Sequence, residues 1–151
     1  KSRVVNTLSD SDRSRMHQGY AVHHLNLFLL AKLYPAHLGV IDGFVGMQGN
    51  GPTSGSPVDW HVAIAGQDAV SVDCLSAYLM GFNPEDVGYL WYASRAGLGN
   101  GSISQIEAIG EELDNLRLNF QPHPTYEKQL QWRDDRAGKI AGLSLRQAPK
   151  T

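Results

Sequence analysis

The chain has 151 residues, 42% of them hydrophobic and 19% charged, the length and balance of one globular domain with a core of its own. Thirteen basic residues against fifteen acidic ones leave a net charge of −2, so the electropositive field that holds a phosphate backbone is missing and nucleic acid is not an expected partner. The longest apolar run, Leu25 to Tyr34, is interrupted by Lys32 and is too short to span a bilayer.

Cys74 is the lone cysteine, which rules out an internal disulfide and any iron-sulfur cluster held by this chain alone. The identity of a cofactor is open. A soluble protein is expected, cytoplasmic sooner than exported, and the opening Lys1 to Asp10, with no initiator Met and no signal-type segment, reads as part of something longer.

Along the chain, Val22, Leu25, Leu29 and Leu33 recur at helical spacing within Asp12 to Ala36, with a break at Gly19 and a stop at Pro35. Leu38 to Asp42 is a short aliphatic run that predicts a strand buried on both faces. A glycine-rich stretch follows from Gly43 to Gly55, and then a second strand is predicted over Val58 to Gly66. Asp68 is a good helix cap for the apolar pattern that ends at Gly81. Asn83, Pro84, Glu85 and Asp86 form a clearer helix start still, with the helix closing in the Gly97 to Gly101 region. Ile103 to Ile109 predicts a third strand. This alternation argues for an α/β fold with a parallel or mixed sheet flanked by helices. Three strands are few, so the sheet is expected to be incomplete without an earlier segment or a partner. Residues 1–112 are assigned to this domain and 113–151 to a polar C-terminal extension.

Two strands running parallel would bring Asp42, Asp68 and the glycine loop to one rim, where ligands of open α/β sheets bind. Small residues there can turn several N–H groups toward one anion, a phosphate or a carboxylate. Taken singly, Asp68 is a helix cap, Asp42 a turn stabiliser, and the loop a connection needing positive φ. The dinucleotide and Walker signatures are both absent. The six histidines include no chelating pair, so no metal site is predicted, and Cys74 lies within an apolar helix as an inert small hydrophobe. Tyr89, Trp91 and Tyr92 are expected in the core or on a partner-facing surface.

Four stretches together, Leu38 to Trp60, Ala63 to Leu90, Ala96 to Gly99, and Ile106 to Glu111, resemble the Domain of Unknown Function 362 family. The resemblance runs from about Met16 to Glu112 and covers the later half of that domain. Asp42, Gly43, Gly46, Gly49, Asn50, Gly51, Pro52, Gly55, Asp68, Asp73 and Gly81 match its pattern, with His17 the weakest match. It implies a redox context, because such domains occur beside ferredoxin-type iron-sulfur modules, and it carries no established reaction. The functional expectation is thus an uncharacterised enzyme or enzyme fragment. It would bind a small anionic ligand through Gly46, Gly49, Asn50, Gly51, Thr53 and Gly55, with Asp42, Asp68 and His17 as catalytic candidates. The alternative is a non-catalytic binding or assembly module. It would form a homo-oligomer, or dock an iron-sulfur protein or a missing half-domain through Tyr89 to Tyr92.

Overall fold

The computed structural model describes residues 14–133. Helix α1 (Tyr20–Leu33) begins after Gly19, whose φ of 93° sets the break that the sequence predicted, and ends ahead of Pro35. Strands β1 (Gly39–Gln48) and β2 (Ser56–Gly66) follow, then α2 (Ala69–Leu79). Gly81, at φ 88°, closes α2. A 3-10 turn at Pro84–Asp86, capped by the Asn83 side chain, leads into α3 (Gly88–Arg95). A second 3-10 turn at Ile103–Gln105, the one-turn helices α4 (Leu113–Leu116) and α5 (Tyr126–Gln129), and a last turn at Leu130–Arg133 complete the described chain.

The α/β class holds, but the sheet is neither parallel nor mixed. β1 and β2 pair antiparallel, from Gly39 opposite Gly66 to Gln48 opposite Ser56. Only residues 49–55 join them, enough for a hairpin and well short of the dozen or more residues that a parallel crossover needs. The third predicted strand is also corrected: Ile103–Gln105 is a 3-10 turn, and 106–111 joins no ladder. Ile103 and Ile106 stand three residues apart, the repeat of a 3-10 turn and not of a strand.

Aromatic packing explains why two of the glycines expected in the loop lie inside β1. A Cβ on Gly43 would sit 2.7 Å from the Trp60 ring, and one on Gly46 2.6 Å from the Phe120 ring. The rings pack directly against bare backbone, and glycine is the residue that permits it. Between these contacts Trp60 and His61 together oppose Phe44, a β-bulge at which His61 takes φ 57° and its ring meets Phe44 edge-on at 4.5 Å.

Two apolar clusters hold the fold. One joins Trp60 and Val62 to Leu75, Leu79 and Phe120, and so clamps the inner sheet face on α2. The other joins Leu25 and Phe28 of α1 to Tyr92, Ala93 and Trp132. The stretch after Leu113, expected as a polar extension, therefore supplies one buried aromatic to each cluster. Its backbone is tied as well: Leu118 N–H donates to Leu79 C=O, Phe120 N–H to Met80 C=O, and the Trp132 indole to Asp86 C=O.

Candidate functional site

A groove of about 640 Å³ opens between β2 and the 105–111 segment. One wall is β2 from His61 to Gly66, the other is Gln105 to Glu111, and the floor is Val72, Leu75 and Leu79 of α2. Apolar residues line its depth, while Asp68 and Asn100 stand at the end where β2 runs out.

Asp68 is held by four donors. Its Oδ1 accepts from the Val70 and Ser71 amides at 2.9 and 3.2 Å, and its Oδ2 from the Ser71 hydroxyl and the Asn100 amide at 2.8 and 2.7 Å. Burial opposes ionisation, but these hydrogen bonds outweigh it and keep the carboxyl below its usual range. The side chain thus caps α2 and fastens the Gly97–Asn100 loop at once. A Cβ on Gly99 would strike the carboxylate, so the loop closes around this anion.

The predicted rim does not assemble. Asp42 lies opposite Ala63, toward the open end of the hairpin, and its exposed carboxylate accepts the Phe44 amide. The loop at 49–55 is the hairpin tip, six strand residues past Asp42, or roughly 20 Å at a strand's rise. Antiparallel pairing is the physical reason, because it sends the tip and the strand ends apart. Asp42 also faces outward, whereas Asp68 lines the groove. Of the loop's ligand candidates, Gly46 is in β1, Gly49 N–H donates to Gln121 C=O, Gly51 N–H to Gly49 C=O, and the Asn50 carbonyl accepts from Ser54. Thr53 is exposed at the tip, and Gly55 lies against Met47. His17 precedes α1 and stacks on His23 at 4.6 Å between centroids.

Residues 4–78 match the family model described as Domain of unknown function (DUF362). The chain belongs to the DUF362 family. No curated protein and no solved structure matches it. The DUF362 match takes in α1, the hairpin and α2 up to Tyr78, starting and ending earlier than the resemblance from Met16 to Glu112.

Within and beside the DUF362 segment, three titratable groups are used structurally. Asp73 accepts the Tyr89 hydroxyl at 2.9 Å; burial raises its carboxyl, and the Tyr89 bond partly offsets this. Burial, then Asp73 and Asp68, push the Cys74 thiol up to about 11, which makes it a poor nucleophile. His24, packed on Tyr89 and Trp132, is lowered to about 4 by burial and by His23. No group of three metal-ligating side chains occurs among the described residues, and none of their helices is long and apolar enough to cross a membrane. Sequence reasoning missed the groove: the strand predicted over Val58 to Gly66 is present as β2, but nothing local to it shows that a cleft opens along its side.

Proposed function

We propose that this DUF362 chain is a binding and assembly module that works through the outer face of its hairpin. One observation carries this reading. Val40, Phe44, Val45 and Met47 are exposed on β1, at 67, 63, 54 and 47% of their full surface, and no element among the described residues covers them. Scattered apolar residues are ordinary, but four large ones exposed along a single strand, with Asp42 among them, support an interaction surface. The aromatic run at Tyr89 to Tyr92, where docking was first expected, is spent inside the molecule: Tyr92 is buried and Tyr89 bonds Asp73.

A second copy of the chain fits this face best. Phe44, Val45 and Met47 project near the tip, whereas toward the base Val40 and Asp42 stand opposite the small side chains Ala65 and Ala63. Two copies related by a two-fold axis would set Phe44, Val45 and Met47 of each against the Val40, Ala63 and Ala65 half of the other. Light scattering at micromolar concentration should report a dimer, and Phe44→Asp should give a folded monomer. A wild-type monomer across that range would sink the reading.

A small anion held by the amides of Gly46 to Gly55 has less support, since several of those amides already have partners. Its test is phosphate-dependent thermal stabilisation that disappears in Asn50→Ala. No observation favours an iron-sulfur protein over another partner.

A further inference from the structure

The groove beside β2 has the form of a slot for one more strand. Among the described residues, β2 pairs on one side only, with β1, and no backbone hydrogen bond joins His61 to Gly66 with 105–111. In an antiparallel ladder every second residue of an edge strand turns its N–H and C=O outward, so β2 presents a row of such groups to the groove. Natural sheet edges are usually guarded by Lys, Pro or inward charges. From His61 to Gly66 there is none of these. The 105–111 wall stands across the gap, and Ile106 at its start is itself extended, with φ −86° and ψ 118°. From His61 to Gly66 the edge is roughly 17 Å long at a strand's rise, room for a peptide of about six residues.

The chemistry of the lining selects the occupant. Val62, Ile64, Leu75, Ile106 and Leu113 offer apolar contacts below, and Asp68, Glu107 and Glu111 are the formal charges at the rim, with no Lys or Arg in the lining. We infer that the groove binds an extended peptide of a partner protein, alternating in apolar residues and flanked by Lys or Arg, which adds to β2 as a third strand. Main-chain hydrogen bonds would supply affinity and the acidic rim the preference. This site is separate from the outer face proposed above, and it does not depend on that reading.

The test uses the full chain and a blocked synthetic hexapeptide, Lys-Val-Thr-Val-Thr-Lys, with its Glu-ended counterpart as control. Backbone NMR of the labelled chain should show shifts confined to alternate residues of His61 to Gly66 and to 105–111. Amide exchange at those positions should slow roughly fivefold or more on saturation, the scale of one added hydrogen bond per amide. Glu107→Lys combined with Glu111→Lys changes two exposed residues and should reverse the preference toward the Glu-ended peptide. Equal binding of both peptides by the wild type, or shifts located on Phe44 and Met47 instead, would overturn the inference. So would β2 amides that are already slow without peptide and become fast when residues 1–13 are removed, since the slot would then belong to this chain. Failure of the Phe44→Asp test would leave these outcomes unaffected.

Discussion

Replacing Asp68 by Ala removes an acceptor on which two elements converge, and the cost can be worked from its bonds. The cap of α2 is lost, with the Val70 and Ser71 amides returned to water, a change worth about 1 kcal/mol. The Asn100 amide and the Ser71 hydroxyl lose Oδ2 as well. The hydroxyl keeps Asn100 C=O as an acceptor at 3.0 Å, so the orphaned amide dominates, at about 1 kcal/mol for a half-buried donor. The total of about 2 kcal/mol corresponds to a fall in Tm of roughly 4–8 °C for a chain of this size. Asp68→Asn keeps one carbonyl oxygen and should lose about half as much. Urea unfolding with intrinsic fluorescence, together with amide exchange across Gly97 to Gly101, reads both parts. If Asp68→Ala unfolds within about 0.5 kcal/mol of wild type, or if helix α2 loosens while the Gly97–Asn100 loop does not, the double role is refuted. Lowered as its carboxyl is, the contribution of Asp68 is present above pH 3.8 and lost as pH falls below that value.

Three further outcomes are expected. His24 is kept neutral by the fold, so stability is complete above pH 6.5 and lost as pH drops toward about 4; allowing for its partial exposure, about 1 kcal/mol should be gone at pH 5, and His24→Gln should flatten that slope in urea titrations. Gly46→Ala should cost about 1–3 kcal/mol by overpacking the Phe120 ring, and much less when made in a Phe120→Ala background, which a double-mutant cycle measures. At His61, whose φ is positive, Val should be less stable than Gly by about 1–2 kcal/mol in thermal unfolding; parity between the two would mean that the bulge relaxes freely.

Local signals survived the passage from sequence to structure, and pairings did not. The Asp68 cap, the Gly19 break and the Gly81 stop were all legible, because each is decided within four residues by a side-chain acceptor or a positive φ, whereas Asn83 caps only a 3-10 turn and the helix expected there starts at Gly88, after the extended Val87. The direction of the hairpin was not, since the glycine content of Gly43 to Gln48 predicts a loop where β1 continues. What makes those glycines strand residues are the rings of Trp60 and Phe120, and neither partner can be inferred from the glycines alone. The same holds for Phe120 and Trp132, buried aromatics in a stretch that is otherwise polar. Asp68 was picked out as a site residue and does line the groove, but through its capping role; the groove depends on how far 105–111 stands from β2, a distance that no local pattern encodes.

The dependence of one cluster on Trp132 also sets a schedule for biogenesis. Trp132 follows Phe28 by 104 residues, so at ordinary elongation rates of about 5–20 residues per second the α1 side of that cluster waits roughly 5–20 s for its indole. Throughout that interval Leu25 and Phe28 are greasy handles on a nascent chain, open to a ribosome-associated chaperone and to neighbouring polypeptides alike.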